Sequence, residues 1–294
     1  LYHVGNGSSG QEREDMARAI EQIERDIAGL KEAISAIAVE LQSAYAKYLT
    51  TLGQAVRKQL ILASYYLCTQ GYPENFLSLS LNQRQQLQHA IRKLGQQTAE
   101  QLLTYIKSEE VADEGAGEAG EANDDSNSSF PASPPLPLSS SGDLSNPIEL
   151  AQWQQNVEET TQETLKILSH DANVLLQKAG MLPKKLPEPI LAAAAAAASE
   201  ASAEVMPGPP NLLNLVIEIE NEQQSEDSSL TQIMAINLRL GEIEFADTTL
   251  SSERRQIRNI LVQLNKLGRE YQKKQRERSV AEAEAAWRAS WFED

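Results

Sequence analysis

Between Met16 and Leu41 an apolar residue recurs at every third or fourth position without a miss: Met16, Ile20, Ile23, Ile27, Leu30, Ile34, Ile37 and Leu41. Alternating steps of four and three are a heptad pattern, which is satisfied by an α-helix whose stripe lies against another helix. The flanking positions include Ala17, Ala19, Ala33 and Ala38, where a two-stranded zipper usually carries charge. Small residues there widen the stripe, so the pattern favours a multi-helix bundle over a simple zipper. Gly29, in the same helix, costs about 1 kcal/mol relative to alanine, and the seam has to outweigh it. The eight residues form a candidate self-association seam, to be covered by a second copy, by the chain's own later helices or by another protein.

Beyond Leu41 the stripe moves to Tyr45, Tyr48, Leu52, Val56 and Leu60 and runs on to Gly71 and Pro73, read as a left-handed cap and a stop. Ser80 and Gln83 make a capping box for a second helix carrying Leu87, Ile91, Leu94, Leu102 and Ile106. After a flexible leader of residues 1–11, residues 12–108 therefore read as a coiled-coil hairpin. Its shorter second helix covers only the Tyr45–Cys68 half of the first.

Residues 109–146 hold nine acidic groups and no basic one among Gly, Ser and Pro, the composition of a disordered linker. Asn146 as N-cap, Pro147 at the first helical position and Glu149 two residues on open an amphipathic helix over 147–182 that closes at Gly180. Residues 183–210 are a spacer of prolines around seven consecutive alanines. In the remainder, "NLLNLVIEIENEQ" fits a strand through Leu213, Leu215, Ile217 and Ile219 and a helix through Leu212, Leu215, Val216 and Ile219. With no second strand candidate to pair with it, it is read as helix. The stretch "SSLTQIMAINLRLGEIEFAD" steps by three and four through Ile233, Ile236, Leu240 and Ile243, and a final helix carries Leu250, Ile257, Leu261, Leu264 and Tyr271. Residues 211–294 thus read as a C-terminal helical pair with an aromatic tail. The expected fold class is all-α, an elongated arrangement of coiled-coil and helical hairpins joined by disordered linkers.

Composition agrees, since aromatics are only 5% of residues and leave little with which to fill a thick core. The net charge of −16 is concentrated in the linkers, whereas the last helix is locally basic, so an anionic partner is not excluded there. The single cysteine, Cys68, has no internal disulfide partner and sits in the apolar run "LILASYYLC", which reads as a packed thiol in a reducing compartment. That run is far shorter than the roughly 20 residues a spanning helix needs.

The chemistry-bearing patterns are weak. Gly5, Gly7 and Gly10 match the spacing of a phosphate-cradling loop, but no strand precedes them and a heptad helix follows, so a dinucleotide site is not expected. His3, His89 and His170 are not at metal-ligand spacing. Two features rise above this background. Arg255, Arg258, Lys266, Arg269, Lys273 and Arg276 fall on one side of the last helix, opposite its apolar face, a candidate anion-binding stripe. The plainer reading is a solvated face balanced by the acidic linker. Trp287, Trp291 and Phe292 crowd the C-terminal end as candidate partner-binding aromatics, unless they fold back over the chain's own uncovered heptads.

The stretches "GYPENFLSLSLNQRQQLQ" and "EIEFADTTLSSERRQIRNILVQLNKLGREYQKKQRERSVAEAEAAWRASWFED" resemble a lineage-restricted group of cyanobacterial helical coiled-coil proteins with no known activity. That resemblance includes no catalytic motif and implies a bacterial cytoplasm. The functional expectation is a non-enzymatic scaffold or adaptor that associates through the Ile/Leu seam and recruits a protein partner through the last helix. Homo-oligomerisation is compatible with it, and no cofactor, metal or small-molecule substrate is expected. The alternative is a peripheral factor on an anionic surface, membrane headgroups or nucleic acid, acting through the basic stripe.

Overall fold

A computed structural model describes residues 8–107, 146–182, 210–219 and 229–290. Most of the expected leader, the acidic linker as far as residue 145, the Pro/Ala spacer at 183–209, and Trp291 and Phe292 lie outside the described residues. The fold is all-α, with one two-stranded hairpin among the described residues. In chain order the elements are α1 (Ser8–Tyr66), a single π turn (Leu67–Gly71), α2 (Pro73–Ser78), α3 (Leu81–Lys107) and α4 (Pro147–Lys178). There follow strands β1 (Leu212–Ile219) and β2 (Ser229–Ile236), then α5 (Leu240–Ala246) and α6 (Thr248–Ser290).

Helix boundaries fall where the local chemistry dictates. The backbone N–H of Ser80 donates to Gln83 Oε1 at 2.8 Å and that of Gln83 to Ser80 Oγ at 3.3 Å, the reciprocal capping box. Asn146 Oδ1 accepts from the Ile148 N–H at 3.1 Å, and its amide donates to Glu149 at 2.9 Å. At the far end of α4, Gly180 adopts a φ of 79°. The N–H groups of Met181 and Gly180 then reach back to the carbonyls of Leu176 and Gln177 at 2.9 and 3.0 Å, a Schellman closure that buries Met181 against the helix end.

The chain divides into two compact units, each assembled from separated segments. The first holds the heptad half of α1 up to Ala44, the opening turns of α4 up to Gln154, and α6 from Arg255 onward. Within it the seam is covered in part by the chain's own last helix: Lys274 Nζ on α6 lies 3.1 Å from Asp26 on α1. Ile27, Ile34, Ile37 and Leu41 are buried, while Met16, Ile20, Ile23 and Leu30 are half-buried. The first turn of α4 also packs on α6, with Pro147 close enough to Gly268 that a Cβ there would touch it at 3.4 Å.

The second unit comprises α1 from Tyr45, the π turn, α2, α3, the rest of α4, the hairpin, α5 and α6 up to Arg254. Helix α3 runs antiparallel to this part of α1, with Ala99 opposite Gly53 and Gly95 opposite Arg57 and Leu60. The approach is closest at Gly53, where an added Cβ would come within 3.0 Å of Ala99 Cβ and 3.1 Å of its Cα. Because backbone there cannot step aside, Gly53→Ala should destabilise by about 1–3 kcal/mol despite alanine's better helix propensity. Gly29 has nothing within 4 Å of its would-be Cβ, so Gly29→Ala should stabilise by up to about 1 kcal/mol. Thermal melts of the two variants should move in opposite directions.

Two readings of the sequence are corrected here. The segment read as helix at "NLLNLVIEIENEQ" is strand β1, and the first half of the following segment is strand β2, its antiparallel partner with Leu213 opposite Ala235 and Leu215 opposite Ile233. Helical steps resume only at Leu240 and Ile243, on α5. Leu213, Ile233 and Ala235 are buried on one face of the hairpin, and on the other the paired Leu212 and Ile236 are buried too, while Gln232 and Asn214 are exposed and hydrogen-bonded to each other at 2.8 Å. The outer edge of β2 is held by side chains. Tyr72 Oη donates to the Met234 carbonyl at 3.2 Å and accepts from its N–H at 3.0 Å. Asn173 on α4 does the same for Ile236 at 2.9 Å in both directions. Gly71 is the other correction. It sits inside the π turn without a positive φ, and its lack of a side chain instead admits Met234, whose Sδ lies 2.9 Å from where a Cβ would be.

Candidate functional site on the outer face of the last helix

Helix α6 begins at an N-cap, Asp247, whose carboxylate accepts from the N–H groups of Thr249 and Leu250 at 2.9 and 3.1 Å. That cap fixes the rotational phase of everything after it. In the first unit, Ile257, Ile260 and Leu264 are buried and Leu261 and Tyr271 are half-buried. At 100° per residue the opposite side carries the six cations singled out above. Arg255, Arg258, Lys266, Arg269, Lys273 and Arg276 are all exposed. Lys273 lies 3.9 Å from Glu277 one turn on; the other five form no ion pair with a described residue.

The same outer strip contains exposed apolar side chains that charge counting alone misses. Val262 is 68% exposed, Val280 49% and Trp287 67%. Of the three aromatics expected at the C-terminal end, Trp287 is the one within the described residues, and most of its surface is exposed. Lys274, one residue round the helix from the strip, faces α1 instead and bridges Glu277 at 3.0 Å and Asp26 at 3.1 Å. Hydrogen bonds from Lys274 and then Gln22 hold the Asp26 carboxyl below the usual carboxylate range, and the Lys274 ammonium is held above its own. A shallow open groove of about 520 Å³ lies beside this bridge, lined by Asp26, Gly29, Leu30, Glu270, Lys273 and Lys274.

A second charged cluster lies inside the second unit. Arg254 donates through Nε to Glu244 at 2.6 Å, through Nη1 and Nη2 to both oxygens of Glu158, and through Nη2 to Tyr48 Oη at 2.7 Å. Tyr48 Oη in turn donates to Glu244 at 2.6 Å, Tyr45 donates to Glu158, and the guanidinium carbon lies 4.4 Å from the Tyr48 ring centre. Burial opposes the arginine's charge, but its hydrogen bonds to Glu158 and neighbouring negative groups more than offset that, and its pKa rises. Burial pushes the Tyr48 phenol up as well. Its neutral form thus adds stability that is complete below the ordinary tyrosine value near 10 and declines as the pH climbs beyond it. With all three nitrogens of the guanidinium engaged, this cluster ties α1, α4, α5 and α6 together. Next to Arg254 in sequence, Glu253 is 5% exposed with Lys47 Nζ 3.7 Å away.

The other sequence candidates are placed as follows. Cys68 is buried in the π turn, and burial pushes its thiol up to about 11, the environment of a packed rather than a nucleophilic cysteine. Gly10 lies within α1, while Gly5 and Gly7 are outside the described residues. Among the described residues no cluster of three His, Cys, Asp or Glu is arranged to hold a metal, and no helix is long and apolar enough to cross a membrane. No protein-family model, curated protein or solved structure matches the chain.

Proposed function

We propose that the protein is a non-enzymatic adaptor whose helical scaffold holds out the outer face of α6 to recruit a protein partner. The observation that carries this reading is the division of α6 into two faces. Its apolar side is consumed by packing within the chain, while six cations, two valines and Trp287 face solvent. An exposed tryptophan at the end of a cationic strip is the composition of an interaction hot spot with a charged surround. Self-association through the seam is confined in this reading to its half-buried part, Met16, Ile20, Ile23 and Leu30, because Ile27, Ile34, Ile37 and Leu41 are already buried within one chain.

The test is affinity purification of three forms from the same cells: the full chain, a chain lacking residues 279–294, and the triple variant Lys266→Glu, Arg269→Glu, Lys273→Glu. A common set of proteins should be recovered with the full chain and fall by about tenfold or more with both altered forms, as expected for loss of one or two hot-spot contacts. A set that is identical for all three would refute recruitment through this helix.

A further inference from the structure

Positions Arg255, Arg258, Val262, Lys266, Arg269, Lys273, Arg276, Val280, Glu284 and Trp287 follow one another by steps of three and four. At 100° per residue they occupy a strip only about 80° wide, and the strip is about 48 Å long. Every member is exposed. This is a second heptad-like row on α6, on the side away from the one that packs within the chain, and it alternates blocks of cations with single apolar residues.

The spacing and the apolar interruptions bear on what fits it. A nucleic-acid backbone places a phosphate at each step and gains from unbroken positive charge, whereas Val262 and Val280 leave two steps without a cation and Glu284 makes a third repulsive. A lipid surface takes up a helix by burying its apolar side in the acyl boundary, and the apolar side of α6 is already spent on the bundle: Ile257, Ile260 and Leu264 are buried. A partner α-helix meets the row on its own terms. Its side chains recur at the same three- and four-residue intervals, so carboxylates can oppose the arginines and lysines while short apolar side chains oppose Val262 and Val280.

Resting on the reading of α6 as the recruiting face, we propose that the outer row binds an acidic amphipathic α-helix of a partner protein, packed along it over several turns, with Trp287 at one end. Charge complementarity supplies attraction and the two valines fix register.

Defined probes test this on the full-length protein by fluorescence anisotropy at moderate salt. The first is a synthetic peptide of about 28 residues with Glu and Leu confined to one helical face, and the second has the same composition with Glu spread around the helix. A duplex DNA oligonucleotide and vesicles of phosphatidylserine with phosphatidylcholine complete the set. The one-faced peptide should bind about tenfold or more tightly than the permuted one. That preference should vanish in the Lys266→Glu, Arg269→Glu, Lys273→Glu variant and shrink in Val262→Ser with Val280→Ser, substitutions at exposed sites that leave the circular dichroism spectrum unchanged. Equal binding of the two peptides, binding of neither, or tighter binding of DNA or vesicles would each overturn the proposal. Dependence on α6 in the affinity purification would still stand in those cases, which separates failure of this inference from failure of the adaptor reading.

Discussion

Replacing Arg254 with alanine is expected to lower the unfolding free energy by about 3–5 kcal/mol, the usual consequence of removing one member of a buried, hydrogen-bonded ion cluster. The side chain is 11% exposed and is shared by Glu158, 19% exposed, and Glu244, 15% exposed. Without it two carboxylates converge on Tyr45 and Tyr48 with no cation between them, so the variant carries like-charge repulsion as well as the loss of five contacts. Glu158→Gln is the informative comparison. It leaves Arg254 paired with Glu244 and keeps an acceptor for Tyr45, so the loss should be nearer 1–2 kcal/mol, the scale of a weakened charge-assisted bond. Urea titrations followed by far-ultraviolet circular dichroism give both values. An Arg254→Ala midpoint equal to that of the parent would mean that the cluster does not hold these four helices together.

Placing a carboxylate at Ile34 should be at least as damaging. Ile34 has no exposed surface, so Ile34→Asp removes a fully packed side chain and puts a carboxylate where an isoleucine was buried, and a loss above about 4 kcal/mol is expected. Ile20 belongs to the same stripe but is half-buried, and Ile20→Asp can keep its carboxylate in water at a loss of about 1 kcal/mol or less. The contrast separates two ways of covering the stripe. Coverage from within the chain makes Ile34 sensitive and Ile20 tolerant, with no change in mass by light scattering. Coverage by a second copy along the whole seam would make both sensitive and halve the mass of each variant. Hydrogen exchange over residues 12–44 of Ile34→Asp should accelerate throughout that segment.

Much of the helical framework could be read from the letters, because helix ends are set by neighbours in sequence. Ser80 with Gln83, Asn146 with Glu149, and Gly180 act over three or four residues and appear as expected. The partner of the heptad stripe was not legible in the same way. A three–four apolar row fits against any other such row, so the letters left open the choice among a second copy, the chain's own later helices and another protein. The strands escaped for a related reason. Ile233, Ile236, Leu240 and Ile243 keep helical spacing across a real boundary, which joined β2 to α5 on paper, and β1 was then denied a mate. The signal that could have divided them is local: β-branched Thr231, Ile233 and Ile236 follow a run of Ser, Glu and Asp.

Arg254 was hidden by its neighbour. Two adjacent arginines look alike in composition, yet a turn of 100° sends Arg255 to the outer strip and leaves Arg254 beside the apolar face, so helical phase measured from Ile257 distinguishes them. The cationic strip follows from that phase and is exposed, whereas Val262 and Val280 are illegible in the letters because a single valine on a polar helix carries no periodic signal of its own.

The grip of Tyr72 and Asn173 on β2 bears on how this chain behaves in a crowded mixture. A lone two-stranded ribbon ordinarily invites a third strand from another molecule, the first step toward aggregation. Here the backbone groups of Met234 and Ile236 on the outer edge of β2 already have partners, the side chains of Tyr72, at the bend between the π turn and α2, and of Asn173 on α4. An incoming strand would have to displace both to pair with this end of β2, which hinders recruitment of the hairpin into a larger sheet there.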